Sequence, residues 1–230
     1  MISDQDTKCT ERAFDPNAMA GINPHALVVA SLRGQRGTVA DLGAGQGALS
    51  VELARLGFEV YACDACTEEF RAHGLPNIRF DVTDLNQRFL YPDGMFDVVC
   101  GVEIIQHVEN PRHFLRECRR ILKAGGTLIP STPNVLSLAS RISFLPRGCL
   151  IYFSQREYLS NNHISPLRLQ DPENMFREIG FRPVKFDFNA GKLPIPKVRH
   201  KLPLLARPLC HLWLGESLMV WAARDRSPVP

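Results

Sequence analysis

The sequence predicts an α/β protein built on a doubly wound, mostly parallel sheet with helices on both faces. Three observations carry that prediction. A β-branched, apolar run (Thr38, Val39, Ala40) ends at Asp41 and passes through glycines 43, 45 and 47 directly into a helical pattern. From residue 22 to residue 134, strand-length runs alternate with helical periodicity in the order βαβαβαβαβ, which implies right-handed crossovers and a parallel sheet. The run Phe96 to Gly101 is apolar apart from Asp97, as expected of a strand covered on both faces.

The elements follow in order. Residues 1–13 are polar, and 1–21 reads as a flexible N-terminal segment. Asn23 and Pro24 read as the cap and first position of a helix through Leu32 that ends near Gly34. Thr38 to Leu42 is the first strand, and the helix after the glycine loop carries Leu49, Leu53 and Leu56 on one face until Gly57 stops it. Phe58 to Cys63 is a second strand, closed by Asp64. A weak helix over Thr67 to Ala72 leads to a third strand around Ile78 to Val82, after which Asp84-Leu85-Asn86 leaves the sheet. Tyr91-Pro92-Asp93-Gly94 is a turn by composition. After the fourth strand, Glu103 to Glu109 form a loop, and Asn110-Pro111 cap a helix that buries Phe114, Leu115, Cys118, Ile121 and Leu122. Gly125 and Gly126 end it, and Thr127 to Ile129 starts a fifth strand.

The remaining hundred residues read differently. An apolar and basic stretch begins at 135, and a polar one ends at His163-Ile164-Ser165-Pro166. A short helix spans Asp171 to Ile179 and stops at Gly180. Phe181 to Phe188 alternates and contains Pro183, which predicts an edge strand. Residues 192–211 are rich in proline and bases, Leu218 to Ala223 is apolar throughout and so an interior strand, and 225–230 is a tail.

Composition narrows the function classes. A chain of 230 residues, 45% hydrophobic and 22% charged, suits one globular domain over 22–224. A net charge of +3 is too mild to argue for nucleic acid. The seven cysteines are an odd number, and Cys63-x-x-Cys66 has no partner pair at zinc spacing, so they read as buried or free thiols. No signal peptide and no run of membrane-span length is visible, and the expected location is cytoplasmic.

The strand ends supply the chemistry. Glycine is required where the backbone takes positive φ or meets a ligand without a Cβ between, and a helix starting there aims free amides at what binds. Asp64 can accept two hydrogen bonds from a ribose diol. Asp84 can accept from an adenine amino group while the Leu85 backbone reads the neighbouring ring nitrogen, or it can simply close an Asx turn.

These residues resemble a known family. Asp-x-Gly-x-Gly-x-Gly at 41–47, the acid at 64, Asp-Leu-Asn at 84–86, Phe-Asp-Val-Val at 96–99, His-Val-x-x-Pro at 107–111, Leu-Lys-x-Gly-Gly at 122–126 and Ser-Thr-Pro-Asn at 131–134 together look like the class I S-adenosylmethionine-dependent methyltransferases. The resemblance is nearest to the small-molecule branch of ubiquinone-biosynthesis O-methyltransferases, which share an Ile-Asn-Pro like that at 22–24. It implies a seven-stranded sheet of the Rossmann-like methyltransferase fold. The last strand is antiparallel and inserted beside the fifth, and a lid and substrate part at 135–215 follows the cofactor-binding part at 22–134.

By the same resemblance the cofactor is S-adenosyl-L-methionine and the product S-adenosyl-L-homocysteine. Asp41 would orient the loop, Gly43, Gly45 and Gly47 would admit the methionine part, Asp64 would hold the ribose, Asp84 and Leu85 the adenine, and the Val102 backbone would lie beside the sulfonium. His107 is the first candidate for a catalytic base, with His163 second, and no metal requirement is expected because Gln106-His107 stands where relatives have Glu-His. Ala26 stands where that branch has an arginine for the cofactor carboxylate, which implies either weaker cofactor affinity or substitution by another group such as His25.

The acceptor is expected to be a small molecule methylated at oxygen. The segments 135–153 and 192–211 read either as an ordinary lid and core or as a cover admitting an amphiphilic, lipid-linked or anionic substrate, with peripheral membrane contact. Two other readings stay open. Gly43-x-Gly45-x-x-Ala48 also fits an NAD-dependent oxidoreductase fingerprint, and a cofactor-binding scaffold needs no catalytic side chain.

Overall fold

The computed structural model describes residues 24–168, 170–189 and 215–226. The expected cap Asn23, the N-terminal segment, the basic stretch 192–211 and residues 227–230 lie outside the described residues. Seven strands form one sheet: β1 (Gly37–Leu42), β2 (Phe58–Asp64), β3 (Ile78–Val82), β4 (Phe96–Gly101), β5 (Leu122–Pro133), β6 (Phe181–Phe188) and β7 (Ser217–Arg224), ordered β3-β2-β1-β4-β5-β7-β6. Strands β1 to β5 pair in parallel, while β7 runs antiparallel between β5 and β6. The interior position of β7 and the edge position of β6 agree with their sequence patterns. Pro183, which cannot donate to a ladder, is tolerated on that outer strand.

The helices are α1 (Pro24–Leu32), α2 (Ala48–Arg55), α3 (Pro111–Ile121), α4 (Leu138–Arg147), α5 (Gln155–Asn161) and α6 (Gln170–Ile179). Alternate residues of each strand face opposite layers. Val39, Val60 and Val98 pack against Val28 and Leu32 of α1 and Leu49 and Leu53 of α2. Ala40, Leu42 and Val99 face Phe114, Leu115 and Ile121 of α3 and Phe176 of α6. Cys63, Cys100 and Cys118 are buried thiols of this core, and Cys149 is a partly covered one.

Three expectations need correction. No helix forms at 67–72: the segment is too short to recover the cost of nucleation, and Phe70 and Ala72 instead bury against the glycine loop. The strict βαβ alternation therefore fails between β2 and β3, and also between β3 and β4, where the chain crosses in turns. Gly125 and Gly126 do not precede the fifth strand but lie within it, at a bulge where the β4–β5 register shifts and Gly125 takes φ 80°.

Below the sheet, Arg120 ties α3 to the turn before β4. It pairs with Glu117 at 2.7 Å and Asp93 at 2.8 Å, and donates to the carbonyls of Tyr91 (2.7 Å) and Phe89 (3.0 Å). Glu117 also accepts from the Phe89 amide at 2.9 Å.

Candidate active site at the carboxyl edge of the sheet

The carboxyl ends of β1, β2 and β4 lie side by side, with Asp41 opposite Ala62 on one neighbour and Cys100 on the other. Open α/β sheets bind ligands at this edge. Between β1 and α2 the chain turns through Gly43, Gly45 and Gly47 at φ 72°, 51° and 86°, all in the left-handed region. A Cβ on Gly43 would sit 2.5 Å from Ile104 Cδ1, and one on Gly47 would sit 2.7 Å from the Phe70 ring. A Cβ on Gly45 would meet no protein atom within 4 Å. The first and third glycines are therefore required by packing. The second presents bare backbone to open space.

The acids sit where the strand ends put them. Asp41 is buried, and its Oδ2 accepts from Ser50 Oγ at 2.6 Å. Burial raises its carboxyl to about 6, against the Ser50 hydrogen bonds that favour the charge. Asp64, half-buried at the mouth of the loop, accepts from the Gly45 amide at 2.8 Å. The carbonyl of Cys63 meanwhile receives the amides of Gly43 and Ala44, both at 2.9 Å. The glycine loop thus hangs on the end of β2.

Asp84 is exposed, and its Oδ1 accepts from the Asn86 amide at 2.9 Å, which is the Asx turn open to it from sequence. Leu85 and Val102 are buried. The cofactor candidates Asp41, Gly43, Gly45, Gly47 and Asp64 fall together around one loop. Asp84 and Leu85 follow β3 at the next strand end, where the Thr83 amide donates to the Asp64 carbonyl at 2.9 Å.

The loop after β4 holds the candidate base. Glu103 takes φ 53° and accepts from Ser131 Oγ at 2.8 Å, and burial raises its carboxyl. Gln106, buried, donates to the Glu103 carbonyl at 2.9 Å and lies 3.3 Å from His107 Nε2. Its own carbonyl accepts the amides of Ile164 and Ser165, both at 3.0 Å, so the segment carrying α4 and α5 is fastened to this loop. The rings of His107 and His163 thereby meet, and His163 Nδ1 lies 2.7 Å from the Tyr152 carbonyl. Burial, then His163, lower the His107 imidazole below its ordinary value. His25, on the first turn of α1, is also lowered by burial.

Ser50 and Ile104 carried no signal in the sequence, and Gln106 and Ser131 stood within motifs without a role of their own. A serine in a helix and an isoleucine in a loop carry no pattern of their own, and Gln106 was legible only as a neighbour of His107.

A model described as a methyltransferase domain matches residues 40–129. Curated relatives include the ubiquinone biosynthesis O-methyltransferases of Xanthomonas oryzae pv. oryzae, 32% identical over 61% of this chain and 66% of that one, and of Caulobacter vibrioides, 38% identical over 42% and 41%. The S-adenosylmethionine-dependent methyltransferase of Archaeoglobus fulgidus superposes with a TM-score of 0.63 at 20% identity, covering 87% of this chain and 94% of that one. The one from Mesorhizobium loti does so with 0.60 at 18%, covering 86% and 96%. Residues 40–129 thus match a methyltransferase domain, and the chain is similar in sequence to ubiquinone O-methyltransferases and in fold to S-adenosylmethionine-dependent methyltransferases.

The chain spans less than two thirds of the length of these two curated relatives. Its sheet order also separates it from the dinucleotide oxidoreductases. In those the sixth strand continues the parallel sheet, whereas here antiparallel β7 is inserted beside β5. The glycine loop fits the cofactor of these similar proteins, because Gly45 opens onto space and the Asp64 carboxylate, which accepts the Gly45 amide, stands beside it.

Proposed function

We propose that this chain transfers a methyl group from S-adenosyl-L-methionine to the oxygen of a small-molecule acceptor. The observation that carries the reading is the Asp64–Gly45 contact. It sets a carboxylate at the end of β2 beside a loop whose central glycine faces open space. Asp41 orients the loop, Gly43, Gly45 and Gly47 let its backbone lie against the methionine part, and Asp64 accepts from the ribose hydroxyls. Asp84 and Leu85 receive the adenine, and the Val102 backbone borders the reacting centre. When bound, the cofactor supplies a methyl group already activated on a cationic sulfur.

The protein's share is then positioning. Holding an acceptor in line at about 3–3.5 Å is worth about 7–11 kcal/mol of the barrier. His107, kept neutral by burial, takes the acceptor's proton as it reacts. Methylation at oxygen is supported by the names of the ubiquinone relatives. The segment 138–161 acts as the lid. It exposes Ile142, Phe144, Leu145, Tyr158 and Leu159 beside Arg147 and Arg156, which suits an amphiphilic or lipid-linked acceptor and contact with a membrane surface. Among the described residues no helix is long and apolar enough to cross a membrane.

Calorimetry with S-adenosylhomocysteine tests the cofactor, and product mass analysis with labelled donor and a metabolite extract tests the acceptor. Replacing Asp64 by alanine should weaken binding at least tenfold, as loss of a charged hydrogen bond worth about 1.5–3 kcal/mol requires. An unchanged dissociation constant would refute the assignment. Co-sedimentation with anionic vesicles tests the membrane contact, and no binding removes it.

A further inference from the structure

Ser50 is wholly buried in the first turn of α2, and its hydroxyl donates to Asp41. α2 has no side-chain cap of its own, since Gly47 occupies the N-cap position. The first amides of a helix lack intrahelical acceptors and carry the positive end of its dipole, so a carboxylate placed there meets both needs. Asp41 meets them from β1. The Ser50 amide adds to the hydroxyl in favouring the ionised carboxylate.

The other groups facing Asp41 do not favour its charge. Cys63 on β2 and Cys100 on β4 are buried thiols, and Asp64 on β2 is an acid of like sign. One hydrogen bond therefore joins the two ends of the glycine loop, Asp41 just before it and Ser50 just after. Within the loop, Gly43 and Ala44 are pinned to Cys63 and Gly45 to Asp64. A change in the β1–α2 separation must therefore displace the backbone between those pins.

We propose that Ser50 is a positioning residue of the cofactor site, acting through Asp41 to set the shape of the glycine loop. The proposal rests on the methyltransferase reading above. When Asp41 takes up a proton, the charge that strengthens its bonds from Ser50 is lost, and the clamp slackens. Cofactor affinity then falls on the acid side, and removing the serine hydroxyl moves that fall to higher pH.

The test is calorimetry of S-adenosylhomocysteine on the full chain, comparing the parent with Ser50→Ala and Ser50→Thr from about pH 5 to about pH 8. The alanine variant should bind about tenfold more weakly at neutral pH. Its acid limb should lie about one pH unit higher. Threonine, which keeps the hydroxyl, should restore both. With labelled donor, KM for the cofactor should rise while kcat holds.

A folded alanine variant with the parent's affinity and acid limb overturns the proposal, and so does one that only melts earlier. Should alanine fail to fold, Ser50→Cys, of similar volume and weak as a donor, takes its place with the same expectations. Failure of the parent to bind at all would strike the methyltransferase reading, whereas equal binding by every variant strikes only the role of Ser50.

Discussion

The rings of His107 and His163 meet edge to face with centroids 4.8 Å apart, one from the loop after β4 and the other from the segment that covers it. This pair links the candidate base to the lid. Replacing His107 by asparagine should lower kcat by about 100-fold or more while leaving S-adenosylhomocysteine affinity unchanged. The pH dependence has a definite sign. The fold lowers the His107 imidazole, so the unfolded chain binds that proton more readily. Its contribution to stability is full above about pH 6.5 and is lost as pH falls through the folded value. Urea melts on either side of that range should show a loss on acidification that is smaller in the asparagine variant.

The second glycine separates binding from folding. At Gly45 an alanine incurs only the left-handed backbone cost of about 1–2 kcal/mol, because its Cβ meets nothing. At Gly43 the added Cβ also collides with Ile104, which adds about 1–3 kcal/mol of overpacking. Gly45→Ala should therefore melt only a few degrees early yet bind S-adenosylhomocysteine poorly. Gly43→Ala should lose both stability and binding. Thermal melts beside calorimetry decide this, and full affinity in the Gly45 variant would mean that no ligand approaches there.

Asp41 should show a trade of stability for function. Its folded value, about 6, lies above the ordinary 3.8. The group's stabilising contribution is thus complete below about pH 3.8 and is lost as pH rises through about 6. At neutral pH the buried charge costs on the order of 3 kcal/mol relative to the neutral form. Asp41→Asn should accordingly raise the melting temperature at pH 7 and weaken cofactor binding. A variant that is neither more stable nor weaker in binding contradicts this account.

Arg120 should behave as a structural keystone remote from the site. Its side chain is 16% exposed and that of its partner Glu117 is 11% exposed, so Arg120→Ala leaves a nearly buried acid uncompensated. The expected loss is about 3–5 kcal/mol in denaturant melts. Adding Glu117→Gln should recover part of it, and no recovery would argue that packing rather than charge is lost.

The sheet was legible in the sequence wherever both faces of a strand are covered or one face alternates. β1, β2 and β4 show as apolar runs, and Pro183 marked β6 as an edge. The misread segments are those where a distant contact overrides local pattern. Phe70 and Ala72 look helical by neighbourhood, but Gly47 leaves a space that they fill. Gly125 and Gly126 look like a terminator, but the β4–β5 ladder absorbs them as a bulge. At the candidate site, Asp41 and Asp64 stand out because acids at strand ends are conspicuous. The Asp41–Ser50 bond and the fastening of Ile164 and Ser165 to Gln106 join separate elements through groups with no periodic signature.

The insertion of β7 between β5 and β6 fixes an order of assembly. Residues 217–224 join edge strand β6 to the rest of the sheet, so during synthesis β5 stands with an open edge until everything before them has emerged. An unpaired edge of that length invites pairing with other chains. Messages cut short ahead of residue 217 should therefore yield sticky, chaperone-bound products rather than a smaller working enzyme.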